Sequence, residues 1–374
     1  MDAFQLIYSK GYQAEEYEVE TEDGYLLTIQ RIACHRDNAT ECSNTARPVV
    51  FLQHGLLASA TCWLTNLQNE SLAYVLADAG FDVWLGNFRG NNYSRKHRKY
   101  LPSQKQFWQF SWDEMAEYDL PAMINKALQI SQAEQLYYVG HSEGTLTAFA
   151  KFSQDQQFGK KVKHFFAIAP VITVGHAKGL VRYLAPNTKI LKFLLSVVGV
   201  NEFLPPNWVV KLLGDLVCKS RLTNPLCTNF LFLICGFDSN QMNTTRYPVY
   251  FAHTPAGTSV QNMAHFGQMV MSGKFQKYDY GSKKKNRLHY NQATAPLYDV
   301  SQMSVPVTLW WADQDDLADV IDVAALISKL TSLRAQHYLT DYNHLDFIWG
   351  MRATKDVYEK IVQDILNDYN SRDD

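Results

Sequence analysis

Residues 136–144 read Leu-Tyr-Tyr-Val-Gly-His-Ser-Glu-Gly, and no other stretch restricts the fold of this chain as tightly. A short β-prone run enters Gly-x-Ser-x-Gly, and the helix-compatible Thr145-Leu146-Thr147-Ala148-Phe149-Ala150 follows at once. The pattern predicts strand, sharp turn and helix, with Ser142 at the apex. The flanking glycines are required because the turn is strained and the strand and helix approach too closely for side chains. The bare pentapeptide is a weak signal, arising by chance in roughly one chain in ten of this length. Its context makes it strong.

The rest of the chain supplies that context. Tyr17 to Ile32 alternates around Glu22-Asp23-Gly24-Tyr25, so a hairpin opens the domain. Pro48 to Gln53 and Phe81 to Gly86 are short apolar runs of the buried, parallel kind, with a helix at Leu72 to Ala79 between them. Pro121 opens a helix to about Ile130, and Val162 to Val171 is the strand after the Ser142 segment. Such alternation predicts an α/β fold whose mostly parallel sheet carries helices on both faces. The rhythm breaks between about Ile172 and Met303. It returns with a strand at Val305 to Trp311, a helix at Val320 to Leu333, a strand at Gln336 to Leu339 and a helix at Thr354 to Tyr369. Residues 1–172 and 301–374 are therefore expected to form the core, with 173–300 an inserted cap. The Lys283-Lys284-Lys285 run inside it is expected to be a solvated loop.

Thirty-five basic residues nearly balance 37 acidic ones, so no general attraction to nucleic acid is implied. No apolar run reaches the length needed to span a bilayer. Met1-Asp2-Ala3-Phe4-Gln5 lacks the basic and apolar regions of a signal peptide. Six cysteines show no Cys-x-x-Cys pattern, so neither a metal site nor another cofactor is expected; Cys34 with Cys42 and Cys218 with Cys227 are candidate disulfides by spacing. Sequons stand at Asn38, Asn69 and Asn243, and at Asn92 in a loop expected to be inaccessible. Together these favour a monomeric secretory-pathway protein, lysosomal or secreted, that has lost its leader. The alternative is a cytosolic form with reduced thiols.

A serine hydroxyl is a poor nucleophile without a general base and an acid to orient that base. In folds built on this elbow the acid follows a later strand and the base follows the last one. His344 has the second address, in Asp341-Tyr342-Asn343-His344-Leu345-Asp346. Asp315 has the first, but Asp313 and Asp316 in the same loop are equally open on sequence. The tetrahedral oxyanion needs donors as well. The Glu143 N–H is one, and the Leu56 N–H, in His54-Gly55-Leu56 after the Pro48 strand, is the second. His54 itself is expected to be a structural hydrogen-bonder.

Long runs now carry a family resemblance: Thr21-Glu22-Asp23-Gly24-Tyr25, Leu52-Gln53-His54-Gly55-Leu56, Gly86-Asn87-Phe88-Arg89-Gly90-Asn91, Asp113-Glu114-Met115-Ala116, the segment Pro255 to Asn262, and His344 to Gly350. Over nearly its whole length the chain resembles the acid lipase family of animal gastric and lysosomal lipases, within the α/β-hydrolases. The resemblance implies a triad of Ser142, Asp315 and His344, choosing among the aspartates because the family's acid stands four residues before the Asp of Leu-Ala-Asp, here Asp319. It also implies oxyanion donors at Leu56 and Glu143, a Cys218–Cys227 disulfide, a free thiol at Cys235, and hydrolysis of triacylglycerols or sterol esters at acidic pH. One departure stands out, since the family usually has Gln where this chain has Glu143. A carboxylate there would oppose the oxyanion, and a neutral carboxyl would not.

Between Asn207 and Lys219 the residues Trp208, Val209, Leu212, Leu213 and Leu216 share one helical face. The resemblance puts the family's lid in this region, about residues 206–235, whose apolar face would cover the site in water and meet lipid when open. A packed amphipathic helix is the plainer reading. A non-catalytic lipid carrier on the same fold is the alternative function. An epoxide hydrolase normally uses a carboxylate nucleophile, and Ser142 argues against it.

Overall fold

The computed structural model describes residues 1–34, 47–187, 200–204 and 241–371. Its centre is a twisted sheet built from β1 (Gln13–Glu20), β2 (Tyr25–Cys34), β3 (Val49–Gln53), β4 (Asp82–Leu85), β5 (Leu136–His141), β6 (Val162–Ile168), β7 (Val307–Ala312) and β8 (Leu333–Leu339). The spatial order is β1-β2-β4-β3-β5-β6-β7-β8, and Lys96–His97 adds a short ninth strand against β2. The β1–β2 hairpin is antiparallel and β2 meets β4 antiparallel. From β4 to β8 every pairing is parallel. β3, β4 and β5 are buried at every position, as their unbroken apolar runs require when helices cover both faces. β8, at the open edge, instead alternates half-buried with exposed residues.

Two expectations are corrected here. The helix predicted to run to Leu333 stops at Ile327, and β8 begins at Leu333 rather than Gln336. The Leu330 N–H closes the helix on the Leu326 and Ile327 carbonyls, and Leu333 is already paired with Val307. Parallel pairing with β7 thus claims residues that an apolar run alone would add to the helix. Lys283-Lys284-Lys285, expected as a loop, is the exposed first turn of a helix, Lys283–Tyr290. Ser282 Oγ caps it by accepting from the Lys285 N–H, Asn291 closes it in the left-handed conformation, and Asn286 anchors it by bonding Tyr280, Asp279 and Ala293.

Between β6 and β7 the described chain forms short helices, Gly179–Leu184, Tyr247–His253 and Val260–Ser272 among them, and a two-residue antiparallel pair, Glu202–Phe203 with Thr258–Ser259. It rests on the β3 end of the sheet: the Ala256 N–H donates to the Leu57 carbonyl at 2.7 Å, and the Asn92 N–H to the Ala256 carbonyl at 2.9 Å. No described helix is long and apolar enough to cross a membrane.

Candidate active site

β5 delivers Ser142 at φ +54°, ψ −116°, the caps position of the helix Glu143–Gln154. A non-glycine residue held there stores backbone strain of order 1–3 kcal/mol, tolerated because the neighbours over-determine it. Gly144 shows why the motif needs glycine: a Cβ there would run into the Gln53 carbonyl of the adjacent strand. β3 pairs with β5 up to Gln53 opposite Gly140, so the next residues of the two strands meet at the sheet's carboxyl edge. At Gly55 an added Cβ would lie 2.9 Å from the Ser142 Cβ. The loop holding Leu56 therefore passes directly beside the serine. Among the described residues neither the Leu56 nor the Glu143 N–H has a hydrogen-bond acceptor.

Asp315 and His344 are brought together. His344 Nδ1 lies 2.8 Å from Asp315 Oδ2, with both side chains buried. The other Asp315 oxygen accepts from the Leu317 and Ala318 N–H groups at 2.9 and 2.8 Å. Burial alone would raise the Asp315 pKa, but the His344 ring and these donors together hold it below the usual carboxylate value. The carboxylate can accept only, so Nδ1 carries the proton and Nε2 is left as the basic nitrogen. The other aspartates of the loop separate cleanly. Asp313 is exposed, Asp316 is half-buried, and Asp319 caps the helix Val320–Ile327 while pairing with Lys178 at 2.9 Å.

His54 is fully engaged in structure. Its Nδ1 donates to the Gly55 carbonyl at 2.8 Å, and its Nε2 accepts from the Phe88 N–H and Asn91 Nδ2, both at 3.2 Å. Burial lowers its pKa to about 4, which keeps the ring neutral. The Arg89 loop beside it closes a buried ion network. Arg89 pairs with Asp119 at 2.7 Å and with Asp23 of the hairpin turn at 2.6 Å, and stacks 4.0 Å over the Tyr25 ring. In the sequence this loop and Asn262 stand only within runs shared with the family, with nothing to show the ion network or a role for Asn262. Among the described residues no three His, Cys, Asp or Glu side chains converge to hold a metal ion.

Residues 48–351 match the alpha/beta hydrolase fold family, and residues 4–67 match the partial alpha/beta-hydrolase lipase region. Human gastric triacylglycerol lipase is 50% identical over 371 residues, covering 98% of this chain and 92% of that protein. The chain belongs to the acid lipase family. Human lysosomal acid lipase/cholesteryl ester hydrolase is 47% identical over 97% of this chain and 90% of its own length. Among solved structures, a soluble variant of monoglyceride lipase from Saccharomyces cerevisiae shares the fold at a TM-score of 0.55 and 14% identity, covering 93% of each chain. As a member of the acid lipase family, the protein is a carboxylic ester hydrolase.

Several expected features fall elsewhere. Trp208, Leu212, Leu213, Leu216, Cys218, Cys227 and Cys235 lie outside the described residues, as do Asn38 and Cys42. Cys34 is disulfide-bonded, and Cys62 is a buried free thiol. Asn69 is exposed, whereas Asn243 is half-buried and its Oδ1 accepts from the Thr245 N–H and hydroxyl. Asn92, expected to be inaccessible, is exposed: its loop docks through the main chain, leaving the side chain outside.

Proposed function

We propose that the protein is a serine lipase that hydrolyses triacylglycerols and sterol esters at acidic pH through an acyl-enzyme on Ser142. The observation that carries the reading is the buried 2.8 Å pair of His344 and Asp315, lying at the same sheet edge as a strained serine. Ser142 Oγ attacks the ester carbonyl while His344 Nε2 takes its proton, and Asp315 holds the imidazolium that forms. The Leu56 and Glu143 N–H groups receive the oxyanion. His344 then returns the proton to the departing alcohol, and water repeats the cycle on the acyl-enzyme.

Residues 173–300 serve as a cap over this site. Within it the segment at about 206–235 is the lid, and Trp208, Leu212, Leu213 and Leu216 are its lipid-facing residues. Their sequence stripe supports this, as does the contact of Ala256 with the Leu57 loop. The names of the relatives support action on neutral lipid in a lysosomal or secreted setting. The short spacing of Cys218 and Cys227 supports a disulfide between them, and the sequons support glycans at Asn38, Asn69 and Asn243.

A pH series on emulsified trioleoylglycerol and cholesteryl oleate, beside Ser142→Ala, tests the reading. The expected result is a peak at acidic pH that the variant lacks, with the ratio of the two rates giving the substrate preference. A folded wild-type protein inactive on both would favour the lipid carrier instead.

A further inference from the structure

The residue after the nucleophile does not end in solvent. The Glu143 side chain is buried, and its Oε1 accepts from Asn262 Nδ2 at 2.6 Å. Asn262 lies 119 residues away, in the first turn of the helix Val260–Ser272. Its own N–H donates to Ser259 Oγ at 2.8 Å, and that hydroxyl donates in turn to the Phe110 carbonyl at 2.5 Å. Asn262 Oδ1 accepts from the Trp112 N–H at 2.8 Å. A main-chain N–H can only donate, so the amide's orientation is fixed, with oxygen towards Trp112 and nitrogen towards Glu143. The second hydrogen on that nitrogen goes to Thr258 Oγ1 at 3.1 Å. Both hydrogens of the amide nitrogen are used, and a flipped amide would set that nitrogen against the Trp112 N–H.

We propose that Asn262 is a positioning residue for hydrolysis: it clamps the neutral Glu143 carboxyl, which keeps the Glu143 N–H aimed at the reacting carbonyl, and ionisation of Glu143 ends catalysis at higher pH. The inference rests on the reading of Ser142 and the Glu143 N–H given above. Three segments meet at the clamp: the elbow helix through Glu143, the turn before the Leu120–Ser131 helix through Trp112, and the insertion through Asn262.

The surroundings favour the neutral acid. Burial is the largest influence and raises Glu143 to about 7, the Asn262 donor opposes it, and the Asp119 carboxyl adds to it. Asp119 is already paired with Arg89, whose remaining donors go to Asp23. Asp113 and Glu114, on the turn that also packs on the elbow helix, face Tyr298 and Ser111 respectively. Among the described residues no cation forms an ion pair with Glu143. Once ionised, Glu143 would set a negative charge in a dry site, one residue from the serine whose reaction creates another. A glutamine would make the same bond to Asn262 through its oxygen and never ionise.

The test is the pH–rate profile of wild type, Glu143→Gln, Asn262→Ala and Ser142→Ala on a soluble short-chain p-nitrophenyl ester, each normalised to its own maximum. Glu143→Gln should carry the alkaline half-maximum up by about one pH unit or more. Asn262→Ala should lower kcat by roughly 10-fold or more with KM little changed, as expected for a loosened oxyanion donor. If Ser142→Ala is inactive and the Glu143→Gln alkaline limb coincides with that of wild type, the inference is overturned while the nucleophile stands. If Ser142→Ala keeps wild-type activity, both fall together. An Asn262→Ala protein that is folded by near-ultraviolet dichroism and retains wild-type kcat also overturns the clamp.

Discussion

His141 Nε2 donates to the main-chain carbonyl of His344 at 3.0 Å, so the residue just before the serine props the backbone of the proposed base. The acceptor is a carbonyl, which places the proton on Nε2. Burial, helped by the nearby His344, lowers the His141 pKa to about 3, which favours the neutral ring. Replacing it by Leu should leave KM for a soluble ester nearly unchanged and cut kcat by roughly 10- to 100-fold, since small misplacements of a catalytic group are costly. An unaltered kcat would show that the His344 loop is held without this prop.

Asp315 and its neighbours give a sharper contrast. Asp315→Asn should reduce kcat by roughly 10³- to 10⁴-fold, because an amide no longer fixes the His344 tautomer. Asp313→Asn and Asp316→Asn change side chains that face water or lie half-buried away from His344, and should stay within about twofold. Steady-state kinetics on a soluble ester distinguishes the three.

The buried carboxyls around the elbow draw stability towards mild acid. Burial raises Asp113 and Asp119 to about 6, and Glu114 and Glu143 to about 7, from ordinary values of 3.8 and 4.5. Between those values these four groups bind more protons in the folded state than in the unfolded chain, so their contribution falls as pH rises from about 4 to 7. His54 and His141 oppose them, because their lowered pKa values make their contribution grow over the same range. Asp315 works in the opposite direction. Its pKa is depressed, and its contribution is present above 3.8 and lost as pH falls below it. Removing one of these carboxyls isolates its share: between pH 5 and 7.5 the Tm of Glu143→Gln should fall less, or rise more, than that of wild type, and the wild-type Tm should decline below about pH 4. A Glu143→Gln Tm that changes with pH in the same way as that of wild type would contradict this.

The Arg89 network sets a stability requirement apart from the chemistry. Arg89→Met leaves Asp119 and Asp23 without their shared cation and should cost about 3–5 kcal/mol in urea unfolding at pH 7. The loss should shrink near pH 5, where Asp119 is largely protonated. A pH-independent loss would indicate packing of the guanidinium on Tyr25 as the main contribution.

The elbow, the hairpin and the addresses of Asp315 and His344 could be read from the chain because each is local: a turn signal, an apolar run, or a loop following one. Among Asp313, Asp315 and Asp316 the residues alone could not decide. That choice depends on which carboxylate the loop turns inward, and β8 helps set it by accepting the Asp313 N–H at Leu339. The start of β8 at Leu333 was hidden for a similar reason, since its partner Val307 lies on another strand. Asn262 gave no signal as an asparagine in a helix's first turn. The one pointer was Glu143 itself, an acid where glutamine is usual, which required a buried partner that only the folded chain supplies.

The central claim is that Ser142 Oγ attacks the ester, and the most direct measurement is covalent capture by an alkyl p-nitrophenyl phosphonate followed by mass spectrometry of the intact protein and its peptides. One phosphonyl group per chain, located on Ser142, formed rapidly in wild type and far more slowly in His344→Ala, is the predicted result. A folded protein that takes up no phosphonyl group, or takes it up elsewhere with Ser142 unmodified, would contradict the account.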